Sequence, residues 1–298
     1  MVSNGEKTAV TVYYLSGDGR YLLPISFDIA STNQAAKVAM EKLLAGPPAE
    51  DALDSVPNDT KLLNLYSDGD TVYVDLTYDF LLLSAAEISR AVEAITATIL
   101  PLASCQKLKI LVEGDEAATV FDPGNRSLKE SFTPSYLNLT GDDEALVLGP
   151  DFDPSAYLPV ITYVPDASGK YLIPITTLLP RSKAGEDLAQ SRALAAVNTL
   201  LSMPATQGLL TFTLYDLQLE DIKISEGVAY CDFNDALLNA YGERMEKLFL
   251  SSLVRTLVSQ EGIESVRLLV NNESAQETAS GVDIAQPLMT DGPINHFK

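Results

Sequence analysis

The sequence predicts an α+β fold built as two tandem, similar domains, each a mixed or antiparallel sheet packed by two helices. Three observations carry that expectation. The block Val12–Ile25 returns as Thr162–Ile175, with Gly19 falling on Gly169 and Pro24 on Pro174 at an offset of 150. Ala36, Ala39, Met40, Leu43 and Leu44 return as Ala193, Ala196, Val197, Leu200 and Leu201 at an offset of 157, and Leu108–Val112 returns as Val266–Val270 at 158. Offsets this steady mark a duplication. A feature kept in both copies serves the fold, whereas a feature of one copy is free to do something else.

Each copy opens on two strands. The turns at Ser16–Gly19 and Ser67–Asp70 contain glycine, which accepts the positive φ of tight hairpins, so both strand pairs are expected to be antiparallel. The first helix follows, its apolar residues at the i, i+3, i+4, i+7 and i+8 spacing of one helical face. Gly46-Pro47-Pro48 stops it with a permissive C-cap and then missing amide donors. The change of offset from 150 to 157 puts an insertion ahead of this helix in the second copy. Thr71–Leu76, mirrored by Val228–Phe233, alternates with Val72, Val74 and Leu76 on one side, the mark of a strand with one buried face. Ser84 and Glu87 have capping-box spacing for a second helix in which Val92, Ile95 and Ile99 correspond to Leu250, Leu253 and Leu257. The last strand is Leu108–Val112 and its repeat. Two amphipathic helices over one sheet make a two-layer unit.

A chain of 298 residues suits two such domains. We place them at 1–140 and 158–298, joined by a linker at 141–157 that is rich in turn formers, among them Gly141, Gly149, Pro150 and Pro154. In the tail, Val282, Ile284 and Leu288 are expected to lay one more edge strand on the second domain.

With 20 basic against 41 acidic residues the chain carries a formal charge of −21 and a pI near 4.3, which repels nucleic acid and anionic membrane surfaces. No run approaches the ~20 apolar residues of a spanning helix. The stub Met1–Lys7 is not a signal peptide, but it resembles a trimmed boundary that leaves room for a removed N-terminal export signal or anchor. Cys105 and Cys231 face Ile263 and Val74 in the other copy, so both read as small buried hydrophobes.

Chemistry-bearing motifs are few. His296 is the single histidine, and its place in the terminal segment predicts a loosely held side chain, unsuited to a nucleophile–histidine mechanism. The CxxC, HExxH, phosphate-loop, GxGxxG and GxSxG patterns are absent, so no cofactor and no metal are expected. Asp75 and Asp79, mirrored by Asp232 and Asp235, are the carboxylate candidates for the acid–base pair of a glycan hydrolase. Their duplication favours turn or cap residues that accept backbone hydrogen bonds. Asp68-Gly69-Asp70 and Gly141–Glu144 do not open a calcium loop and read as solvated turns. Tyr21 and Tyr171 are repeated and expected to pack. Tyr66 and Tyr78 have no tyrosine opposite; packing is favoured for them over surface contact.

Tyr13-Tyr14, Arg20–Pro24, Leu43–Pro47, Pro57–Leu63, Val72–Leu76 and Ile110–Gly114 resemble, in order, the pattern of the GerMN-domain family of sporulation and spore germination proteins. In the second copy Lys170–Pro174, Leu200-Leu201, Gly262–Val270 and Asp283–Leu288 are similar to the same domain. This copy departs at Ser202-Met203-Pro204, Leu210–Thr213 and Asn271-Asn272. The resemblance spans roughly 8–123 and 158–290. It implies domains related to ring-building motifs, in a noncatalytic, exported, membrane-tethered protein that assembles or localises an envelope complex during sporulation and engulfment. Its partners would be other proteins of that complex, with the peptidoglycan machinery among them. A peptidoglycan- or glycan-binding module is the alternative, and an acidic glycan hydrolase a more distant one.

Overall fold

The computed structural model describes residues 7–116, 136–139, 142–147, 149, 151–204, 208–212 and 216–297. The stub ahead of Lys7 and, in the connector, Gly141 and Pro150 lie outside them. The chain divides into two compact units, Met1–Leu137 with Pro293–Lys298, and Asn138–Gly292.

In the first unit β1 (Lys7–Ser16) and β2 (Leu22–Ala30) form an antiparallel hairpin, registered from Lys7↔Ala30 to Leu15↔Leu22. α1 (Ala35–Leu44) buries Ala39, Met40 and Leu43. It ends at Gly46, whose φ of +82° is cheap only for glycine, and where an added Cβ would meet Asp54 Oδ1 at 2.6 Å. β3 (Ala52–Leu53) pairs with the end of β1. β4 (Leu62–Asp68) and β5 (Thr71–Leu76) make the second hairpin. From β5 the chain crosses through α2 (Ala85–Ala103) to β6 (Lys107–Val112), which pairs with β5 in parallel, as such a crossover requires. The capping box is present: Ser84 Oγ accepts from the Glu87 amide, and Glu87 Oε2 accepts from the Ser84 amide at 2.9 Å. β7 (Asp115–Glu116) completes the order β4-β5-β6-β7. Val72, Val74, Leu76, Leu108 and Ile110 are buried with Ile88, Ile95 and Ile99 of α2, which is the core the alternation predicts.

The second unit repeats this plan. After α3 (Asp142–Val147) come the hairpin of β8 (Tyr157–Pro165) and β9 (Leu172–Pro180), then α4 (Leu188–Ser202), β10 (Leu219–Ser225) and β11 (Val228–Phe233). α5 (Glu243–Val258) leads to β12 (Ser265–Val270), again parallel to its strand, and β13 (Glu273–Ser274). The inserted segment before α4 holds a short turn of 3-10 helix, Arg181–Lys183, and Asp187 caps α4 by accepting from the Gln190 amide.

Two differences from expectation concern the sheets. Among the described residues each unit has two sheets rather than one, and along the outer edge of its first strand, beyond the short β3 pairing in the first unit, side chains meet backbone groups. Thr98 Oγ1 of α2 accepts from the Tyr13 amide at 3.1 Å and Ser55 Oγ donates to the Tyr13 carbonyl at 2.9 Å. In the second unit Thr256 Oγ1 accepts from the Tyr163 amide at 2.8 Å and Gln260 Nε2 donates to the Ile161 carbonyl at 2.9 Å. With the edge satisfied in this way no further strand is needed there. The tail also lays no continuous strand: Leu288 makes an isolated bridge with Val266, and Ile284 is buried without a ladder. The last strand, β14 (His296–Phe297), joins the first unit in parallel with β2, giving the order β14-β2-β1-β3.

Candidate functional site

The carboxylate candidates sit at strand ends and turns. Asp75 Oδ1 accepts from the Gly114 amide and Asp232 Oδ1 from the Asn272 amide, both at 2.9 Å. The same aspartate thus holds the same turn in each copy. Asp235 opens a 3-10 turn and accepts from Asn271 Nδ2, and Asp79 lies in the first turn of the matching element, Tyr78–Leu82. Among the described residues no group of three or more His, Cys, Asp and Glu side chains could hold a metal ion.

His296 differs from the loose residue expected. Strand pairing places it opposite Ser26, with Nε2 at 3.1 Å from Asp28 Oδ1. The Ser26 hydroxyl is buried and pairs with Thr11 Oγ1 at 3.0 Å, so these three residues do not form a nucleophile–histidine–carboxylate relay. Cys231 is fully buried, and burial pushes its thiol up to about 12. Cys105 is only partly buried, because it falls in the turn after α2 rather than within the strand.

A buried carboxylate that sequence reading missed is Glu246, 4% exposed in the first turn of α5. Oε1 accepts from the Ser280 hydroxyl at 2.9 Å and the Tyr241 amide at 3.3 Å, and Oε2 from the Ser280 amide at 3.1 Å. Burial pushes its carboxyl up, but hydrogen bonds from Thr278, Ser280 and the Tyr241 amide outweigh this and leave it below the ordinary range. With Phe212, Tyr241 and Phe249 it lines a small apolar cavity. Its oxygens are occupied, so it pins the 278–280 turn to α5 rather than waiting for a proton to move. No periodic signal marks it, since the first copy has Ile88 and Ser89 at the corresponding offsets.

The distinctive surface is in the first unit. β4 is an edge strand, and Leu63 on it is 50% exposed. Beside it runs a groove of about 470 Å³ between α1 and β4, lined by Lys37, Glu41, Leu44, Thr60, Leu63 and Leu65. Thr60 is 2% exposed, and its hydroxyl has no hydrogen-bond partner among the described residues. The second copy closes this place. There Gln190 Nε2 donates to the Ile222 carbonyl at 2.8 Å, so a side chain of α4 covers the outer edge of β10. At the offset of 157, Gln190 corresponds to Asn33, which precedes α1; that helix starts too late to supply the same cover.

Tyr66 and Tyr78 are exposed, against the expectation that they pack. Tyr66 is the cross-strand partner of Tyr73, and their rings stack at 5.0 Å and 5°. The pairing gives each ring a neighbour without a buried environment. Tyr21 and Tyr171 are buried as expected.

The sequence profile of the family described as "Germane: Sporulation and spore germination" matches residues 11–118 and 161–276. Spore germination protein GerM of Bacillus subtilis (strain 168) is 24% identical over 301 residues, which cover 97% of this chain and 78% of that protein. The solved tandem GerMN domains of the sporulation protein GerM from Bacillus subtilis share the fold, with a TM-score of 0.71 at 22% identity, covering 98% of this chain and 100% of theirs.

Proposed function

Because the chain belongs to the Germane family of sporulation and spore germination proteins, we propose that it is a noncatalytic interaction protein of a sporulation envelope complex, acting outside the cytoplasm from a membrane tether. The observation that carries this reading is the uncovered β4 edge with its groove. Exposed edge amides and carbonyls are a template for an added strand, and proteins normally blunt them. In both copies a neighbouring side chain meets the edge amide, Asn64 Oδ1 that of Leu65 and Asp221 Oδ1 that of Ile222, but only the second copy also covers the edge carbonyl, with Gln190. An extended segment of a partner protein, apolar where it meets Leu63 and Leu65 and with a polar side chain toward Thr60, is the occupant this chemistry suits. No described helix is long and apolar enough to cross a membrane, so the tether would be a segment upstream or a lipid.

Light scattering of the chain with purified ring-forming sporulation proteins tests the proposal. Assembly that Leu63→Glu abolishes is the expected result, and persistent monomer in every mixture counts against it.

The stacked Tyr66–Tyr73 pair, with Tyr66 exposed, favours a second reading, peptidoglycan binding, because sugar rings settle on aromatic faces. Sedimentation with purified peptidoglycan separates the two: retention that Tyr66→Ala removes would promote glycan binding. Clearing of a peptidoglycan zymogram would overturn the noncatalytic assignment.

A further inference from the structure

The outer edge of the first hairpin strand pair carries the same clamp in both units. Asn295 Nδ2 donates to the Pro24 carbonyl at 2.7 Å, and Asn138 Nδ2 donates to the Pro174 carbonyl at 2.8 Å. Pro24 and Pro174 are equivalent in the repeat. The two asparagines stand 157 residues apart, the offset that relates α1 to α4, and both have left-handed backbones, with φ of 46° and 53°. An asparagine in this conformation, aimed at this carbonyl, therefore belongs to the duplicated module.

In the first unit the clamp continues into a strand. His296 and Phe297 pair with Ser26 and Phe27, the Phe297 ring lies 5.9 Å from that of Phe27, and His296 meets Asp28. The attachment is small: two register pairs, with Phe297 46% exposed. It follows Gly292, whose φ is +105°, and Pro293. Arg255 Nη2 donates to the Gly292 carbonyl at 2.6 Å, so the point of departure is set, and the residues beyond it are held by the Asn295, His296 and Phe297 contacts on β2.

We propose that the outer edge of β2 is an acceptor site for an asparagine-bearing strand, and that the segment from Pro293 onward is an exchangeable occupant which a second copy of this chain can supply in trans. Each copy carries one such segment and one acceptor edge, so every contact made in cis is available between copies. Reciprocal exchange closes a dimer, and one-way exchange builds an open chain or a ring. The tethered segment has the advantage of high effective concentration. Exchange therefore grows with protein concentration or with crowding on a surface. Exchange at β2 is independent of the role assigned to the β4 groove.

The test uses the full chain with Asp28→Cys, His296→Cys and Cys105→Ser, oxidised at increasing concentration and run on a non-reducing gel. Linked multimers that increase with concentration are the expected result. An internal link alone at every concentration overturns exchange. Light scattering of the unmodified chain against Asn295→Ala/Phe297→Ala is the second measurement. Because each exchanged contact replaces an identical contact in cis, the exchange model expects the double variant to keep its self-association within about twofold, while hydrogen exchange along the outer edge of β2 rises about five- to tenfold, the size of one lost hydrogen bond. Unchanged hydrogen exchange along β2 overturns the docking itself.

Discussion

Thr98 accepts a hydrogen bond from the backbone amide of Tyr13 at 3.1 Å, joining α2 to the part of the β1 edge that β3 does not reach. Thr256 does the same for Tyr163 at 2.8 Å. Threonine is a mediocre helix former. Its presence at both fully buried positions is explained by the amide it satisfies.

Replacing Thr98 or Thr256 by valine keeps the shape and strands a buried amide. Each substitution is expected to cost about 1–3 kcal/mol, read as a lower urea midpoint with an unchanged slope. Thr98→Ser should recover part of the loss.

Glu246 makes stability depend on pH with a definite sign. Its carboxyl is depressed in the folded protein, so the folded state binds fewer protons there than the unfolded state. The stabilisation is complete above the unfolded value of about 4.3 and is lost as pH falls through the lower folded value. Glu246→Gln should cost about 1–3 kcal/mol near neutral pH, and its deficit should shrink as pH falls. A deficit constant with pH, in paired urea titrations, would show that the charge is not what Ser280 and Tyr241 recognise.

The two thiols should label in order. Cys105 is partly exposed, whereas Cys231 is buried with its thiol raised to about 12. A maleimide should take one equivalent in the native state, mapped by mass spectrometry to Cys105, and the second after denaturation.

The two copies should respond unequally at their matching edges. Gln190→Ala uncovers the Ile222 carbonyl and is expected to cost about 1 kcal/mol. Leu63→Glu changes an exposed side chain of β4 and should leave stability within about 0.5 kcal/mol. Thermal unfolding of both variants checks the pair.

Gly46→Ala places a side chain where φ is +82° and where Asp54 Oδ1 lies 2.6 Å from the new Cβ. A loss of about 1–2 kcal/mol is expected from the backbone conformation alone. Asp54→Ala should relieve the contact and leave the conformational part, as urea titration of the single and double variants would read.

The helices and central strands were legible because burial is periodic: Val72, Val74 and Leu76 announce β5, and Val92, Ile95 and Ile99 announce α2. Expecting one sheet per unit failed at Tyr13 and Tyr163, where edge groups are met by threonine, serine and glutamine side chains that no strand pattern records. Glu246 and Thr60 carry no periodic signal. The Asn138–Asn295 correspondence was present as an offset of 157, but it lies in segments with neither strand nor helix period.

The order of amino acids alone establishes that a module was duplicated, which segments are helix or strand, and that Asp75 and Asp232 have equivalent places. Those properties come from local periodicity and from comparing one copy with the other. The folded arrangement was needed to learn which edges are covered, which carboxylate is buried, and that the segment after Pro293 closes the first hairpin. Each of these depends on hydrogen-bonding groups far apart in the chain finding one another, and such pairings leave no regular spacing to read.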